Sequence, residues 1–306
     1  MFLSAKWPAL LPVLLLLLSV QPAHAQQPFT YTQYMDNLAP INSTYSLLDK
    51  AGAVHALVRK QWVGIDGAPA TLIANGYLPL VSFGGAAGLN IMHDEFGPEK
   101  MIEASAFLAK SVRLSKTEYL AASMSFGVRR YEARYSNLDP ADPLFQDDIL
   151  ETVGTFGLGL MYFIPEKFYM GVSVPRISFR ELGRASVENS RYFKNHYYLM
   201  AGYLAALGEN IKIKPAVLAS YASNIPLHAD FSMTLYLKET LGLGVNYRTN
   251  NEVGTILSVL LNNRLRFGYS YQFGLESYRL GHANDGTHEI TLGYRIGSEI
   301  TGKKLL

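Results

Sequence analysis

Apolar and polar residues alternate with a period of two along the second half of the chain. From Arg264 to Phe273, the positions Leu265, Phe267, Tyr269, Tyr271 and Phe273 are apolar, and those between them are polar or glycine. His228 to Lys238 repeats the pattern, with Ala229, Phe231, Met233, Leu235 and Leu237 on one face. Thr287 to Ile296 sets Ile290, Leu292, Tyr294 and Ile296 against Glu289, Thr291, Gly293 and Arg295. Successive strand side chains point to opposite faces, so each segment has one greasy and one wet face. In an exported chain this is the pattern of an outer-membrane β-barrel.

About fourteen segments have the length of a membrane-crossing strand, roughly 9–11 residues. They are expected at 53–61, 70–80, 84–92, 100–112, 117–131, 153–163, 167–175, 195–206, 210–221, 228–238, 240–248, 253–262, 264–273 and 287–296. An even count suits an all-β antiparallel barrel with both termini on the periplasmic side. The connections agree. One side carries only short turns, at 79–84, 113–117, 164–167, 207–210, 238–240 and 262–263. The other carries the longest loops, at 132–152, 176–194 and 274–286. Short periplasmic turns and long outer loops are the asymmetry of bacterial barrels. A soluble β-sandwich or propeller also alternates, but it gives no reason for this two-sided difference, and no fixed repeat marks propeller blades.

The first 25 residues read as a secretory signal peptide. Lys6 supplies its positive start, Ala9 to Leu18 its apolar run, and Ala23-His24-Ala25 its cleavage site. The expected domains are therefore the signal peptide (1–25), an N-terminal segment (26–50) and the barrel (51–306). Pro40 and the aromatic Phe29, Tyr31 and Tyr34 set 26–50 apart from the strands. That segment either lines the lumen, plugs the periplasmic mouth or forms a loose leader.

Composition removes several function classes. The chain has no cysteine, which excludes a disulfide scaffold, a thiolate metal site and a lipidated N-terminal Cys. Its net charge of +2 gives no field that would point to nucleic acid. Tyrosine is abundant at 20 residues, as the aromatic girdles of barrels require.

One stretch, Arg59 to Thr71, combines Asp66-Gly67 and Pro69 in a tight turn with Trp62 as an interfacial anchor. Arg59, Gln61, Trp62, Gly64, Gly67, Ala68, Pro69 and Thr71 fit R-x-Q-W-x-G-x-x-G-A-P-x-T, and here the chain resembles the PorP/SprF family of the Bacteroidetes type IX secretion system. The resemblance spans almost the whole mature chain. It includes Gln33-Tyr34-Met35-Asp36-Asn37, Asp142-Pro143-Leu144-Phe145 and Phe168 to Pro175. It continues in Ile213-Lys214-Pro215, Leu265 to Tyr271 and Thr287-His288-Glu289-Ile290. The chain departs from the family at Asn42-Ser43-Thr44-Tyr45-Ser46-Leu47, where N-P-A-Y-A-G is usual, and at Gln272, where Asp is usual.

The resemblance implies a barrel that exports, recognises or anchors type IX cargo, such as a large adhesin used in gliding, by its C-terminal domain. The partners it implies are outer-membrane lipid, that cargo and other secretion components. The candidate contact residues are Arg59, Gln61, Trp62, Gly64, Asp66, Gly67 and Pro69, with the loops 132–152 and 176–194. No cofactor, metal or catalytic residue is expected. The histidines lack ligand spacing. His93-Asp94, His282 with Asp285, and Ser232 with His228 are the pairs an enzyme would use, but no hydrolase motif surrounds them. The alternative from another class is a passive porin, with Lys212, Lys214, Arg264, Arg266 and Arg295 as a positive lumen wall.

Overall fold

The computed structural model describes residues 29–138, 148–179, 195–223, 225–275, 286–297 and 305. The signal-peptide reading and the Asp142 to Phe145 motif lie outside these residues, as do His282, Asp285 and most of the long loops.

Strand alternation produces the expected ladder. The strands are β1 (Gly52–Lys60), β2 (Ala70–Leu80), β3 (Gly85–Phe96), β4 (Glu99–Arg113) and β5 (Tyr119–Ala133). Next come β6 (Ile149–Ile164), β7 (Phe168–Ser178), β8 (Tyr197–Tyr203), the two-residue β9 (Ala205–Ala206) and β10 (Ile211–Ala222). The last are β11 (Ile225–Leu237), β12 (Leu241–Arg248), β13 (Glu252–Leu261), β14 (Leu265–Gly274) and β15 (Thr287–Ile296). Each pairs antiparallel with its chain neighbours, except that β8 and β9 both pair with β10, and β15 closes on β1 from Gly52↔Ile296 to Lys60↔His288. Since β9 only continues β8, the sheet is a closed barrel of 14 staves, and β1 begins on the rim where β15 ends. Among the described residues, no helix is long and apolar enough to cross a membrane.

The apolar face of each strand is the outer one. Phe231, Met233, Phe267, Ile290, Leu292 and Tyr294 are exposed, while Asp230, Ser232, Ser270 and Glu289 are buried inside. Large exposed apolar residues are unfavourable in water and are the lining a membrane requires.

Two prolines set local departures from the expected boundaries. Pro215 has no N–H to give its neighbour, and across from it β8 breaks at Leu204 before resuming as β9. Leu204 N donates instead to Lys167 O at 2.8 Å. Pro175 sits at the bulge where β7 slips against β6. A one-residue slip exchanges faces, so Arg176 points inward and the strand runs on to Ser178 rather than ending at 175. The long-loop side is also tighter than the alternation implies. β3 runs to Phe96, so His93 and Asp94 are strand residues, and a turn at Gly97 and Pro98 leads straight into β4. β5 and β6 likewise extend into the expected 132–152 loop.

Candidate functional site

The interior is filled by the chain's own N-terminal segment. Residues 29–48 are buried almost throughout, with Tyr34, Met35, Leu38 and Ala39 wholly removed from solvent. The segment holds only two short 3-10 turns, Tyr34–Asp36 and Ser43–Leu47, the second capped by Asn42 accepting from Thr44 N. Its aromatic and aliphatic residues form one apolar cluster with inward residues such as Leu57, Ile73, Met161, Tyr169 and Leu218. Among the described residues, the wall thus encloses a packed core rather than an open channel.

Three polar clusters fix this plug at different places. At the first, Asp36 meets Arg266, lies 3.1 Å from Lys214 Nζ, and accepts from Tyr236 OH at 3.2 Å. Burial alone would raise the Asp36 carboxyl, but Arg266 and Lys214 outweigh it and hold it well below the usual carboxylate range. Lys214 also donates to the carbonyls of Met35, at 3.0 Å, and Leu305. At the second, Glu289 accepts from the amides of Thr32 and Gln33 at 2.9 and 2.8 Å. Arg59 stands 3.9 Å from that carboxylate, an ionic contact too long for a hydrogen bond, and donates to Thr30 O at 2.9 Å. At the third, Asp49 pairs with Arg295 at 2.6 Å near the short-turn rim. Tyr34 OH adds a contact with the carbonyls of Ala216 and Asp230, both at 3.0 Å, and with Ser232 Oγ at 3.2 Å.

Glycines in the wall make the room. A Cβ on Gly268 would collide with Gln33 Oε1, and one on Gly159 with Asn42 Oδ1. Asn42 Nδ2, on the other side of its amide, reaches Leu160 O and Val172 O at 3.2 Å each.

Of the cations expected to form a positive lumen wall, four are committed elsewhere and the fifth points to the rim. Lys214, Arg266 and Arg295 bind the N-terminal segment, Lys212 pairs with Glu239, and Arg264 is exposed at the rim. A separate buried set joins Glu103 to Arg129 and Arg176 at 3.0 and 2.7 Å, with Arg176 over the Phe29 ring. Of the enzyme pairs considered, Ser232 faces Tyr34 inside the barrel and Asp94 accepts from Thr71 Oγ1. The described residues bring together no set of His, Asp and Glu that would hold a metal.

The first-loop residues divide between two environments. Arg59 and Gln61 are buried, Arg59 against the plug, whereas Asp66 is exposed and Trp62 half-buried. Trp62, Gly64 and Gly67 all have positive φ, at 45°, 96° and 72°, which shapes the turn. Gln61 N donates to Pro69 O, Val63 N to Gly286 O, and Gly97 N to Gly67 O, each at 2.9 Å. The motif therefore ties three connections together on the long-loop rim.

Lys214, Arg266, Glu289 and Ser173 lie in the stretches that resembled one family, and all of them touch residues 29–50. Residues 23–294 match the model of the type IX secretion system membrane protein PorP/SprF. The chain belongs to the PorP/SprF family. A membrane member of this family built as a closed barrel with an apolar outer wall resides in an outer membrane.

No curated protein sequence matches the chain. Among solved structures it is similar to the Acinetobacter baumannii outer membrane protein Omp33, with 12% identity over 82% of this chain and 99% of that one, and a TM-score of 0.48. It is also similar to a TodX deltaS2S3 mutant monoaromatic hydrocarbon channel, with 10% identity over 86% and 94% of the two chains and a TM-score of 0.49. These distant likenesses carry no argument about function.

The contact residues expected from the sequence sit in the first loop and do not include the Asp36–Lys214–Arg266 and Glu289–Thr32–Gln33 clusters. The signal lay in the same motifs. They hold the charges Asp36, Lys214, Arg266 and Glu289, with Pro215 beside Lys214 and Gly268 two residues after Arg266.

Proposed function

We propose that this PorP/SprF barrel exports, recognises or anchors cargo carrying a type IX C-terminal domain, such as a large adhesin, by binding rather than catalysis. The observation that carries the reading is a family barrel whose lumen is occupied by its own buried N-terminal segment. A passive porin needs an open lumen, and this packing weighs against it. The short-turn rim, where β1 starts and β15 ends, faces the periplasm in this reading, and the long-loop rim faces outward. Trp62 and Asp66, with the loops 132–152 and 176–194, form the contact surface for cargo.

The test replaces these loops one at a time and measures cargo retained on cells, beside a comparison of surface and medium proteomes with and without the gene. Release of one large protein with a type IX C-terminal domain supports a dedicated partner. Failure of all such cargo assigns the barrel to the core machinery. An unchanged proteome, or unchanged retention with every loop replaced and normal assembly, refutes the reading.

A further inference from the structure

The wall grips residues 29–48 by their main chain as well as by side chains such as Tyr34, Asp36 and Asn42. Glu289 takes the amides of Thr32 and Gln33, Arg59 the carbonyl of Thr30, and Lys214 the carbonyl of Met35. Tyr198 OH donates to Phe29 O and Ser173 Oγ to Ile41 O, both at 2.8 Å. Nearly every residue of any polypeptide offers these same amide and carbonyl groups. A second piece of the chain is held in the same way, for Leu305 O accepts from Lys214 Nζ while its side chain is buried in the same cluster.

The plug adds nothing to the strand ladder. Its backbone hydrogen bonds to other backbone run within the segment itself, and the barrel closes from β15 to β1 without it. Withdrawal would leave every stave paired.

We propose that the lumen is a peptide-binding site that reads main-chain groups beside side chains such as Tyr34 and Asp36, with residues 29–48 as its resident occupant, exchangeable for a stretch of another polypeptide. This deepens the cargo reading and rests on it only for the identity of the incoming chain.

The lack of cysteine makes the test clean. Thr32 Cγ2 lies 3.4 Å from where a Cβ on Gly254 would stand, so Thr32→Cys with Gly254→Cys places two thiols within bridging reach. Oxidation locks the plug and reduction frees it. The purified full-length protein is incubated with a fluorescein-labelled synthetic peptide of residues 29–48, and the label that co-elutes with it is measured. Wild type and the reduced variant are expected to take up the peptide, and the oxidised variant at least about tenfold less. A second variant, Glu289→Gln, removes a carboxyl acceptor from two amides. It should speed uptake about tenfold while leaving the final level similar, because resident and incoming chains lose the same contact. Uptake by neither wild type nor reduced variant, or equal uptake by the locked form, overturns the proposal in favour of a fixed plug. Cargo retention on cells is not read here, so the two readings fail separately.

Discussion

Asp36→Asn is the change that most sharply tests how the plug is held. The carboxylate stands between Lys214, whose side chain is fully buried, and Arg266, whose side chain is 13% exposed. The amide keeps the shape but removes the charge, leaving two buried cations without their anion. Breaking a buried ion pair from one side costs about 3–5 kcal/mol, because the remaining charge is uncompensated. At 1.4 kcal/mol per factor of ten, amide exchange in residues 30–37 should accelerate roughly 10²- to 10³-fold where it follows plug opening. Lys214→Met should cost less, about 1–3 kcal/mol, since Asp36 keeps Arg266 while the Met35 and Leu305 carbonyls lose a donor. The double variant Asp36→Asn/Lys214→Met leaves one unpaired cation instead of two, so it should exchange more slowly than Asp36→Asn alone. Exchange mass spectrometry on the detergent-solubilised barrel reads all three. An Asp36→Asn protein that exchanges like wild type, or a double variant faster than Asp36→Asn, would refute the charge argument.

Further expectations follow from the same geometry. Because the Asp36 carboxyl is held below its ordinary value, its contribution is complete above the unfolded pKa, about 3.9, and is lost as pH falls through the lower folded value. Exchange protection at Asp36 and Asn37, whose amides bond within the segment rather than to Glu289, should therefore owe no change to Asp36 from about pH 7 to about pH 5, and a fall at these two amides in that window that Glu289→Gln leaves in place would contradict the assignment. Gly268→Val drives a side chain into Gln33 Oε1 and Thr291 Oγ1. It should expose the N-terminal segment to added protease while the barrel still assembles, and an equally protected segment would count against the fit. Gly67→Ala puts a Cβ on a residue at φ 72°, beside Gly97 Cα at 3.4 Å. A cost of about 1–2 kcal/mol is expected, confined to the turn. Faster exchange at Gly97 but not at residues 30–37 would show this.

The wall was readable in the sequence because its physics is local and periodic. Phe231, Met233 and Leu235 share one face whatever else the chain does, and lipid on that face rewards the same alternation in strand after strand. The boundaries slipped where one residue outweighed the period. At Pro175 the missing donor forces a bulge that turns Arg176 inward, and period-two reading cannot cross such a shift. The extension of β3 through His93 and Asp94 was hidden for another reason, since polar residues near a rim suit either a strand end or a loop. The plug was the least readable part. Residues 29–48 have no period, and their hold depends on pairs such as Asp36 with Arg266 and Thr32 with Glu289, whose members are more than 200 residues apart. Arg59, the first residue of the first-loop motif, lies in β1, and whether that position turns it to lumen or rim depends on the plug it bonds.

Planar-bilayer conductance of the full-length protein tests most directly the claim that this family barrel is closed by its own N-terminal segment. The purified chain should insert without steady conductance, and Asp36→Asn should add transient openings. Steady conductance of an open lumen from the wild-type chain, unaffected by oxidising the Thr32→Cys/Gly254→Cys variant, would contradict the account and favour a porin.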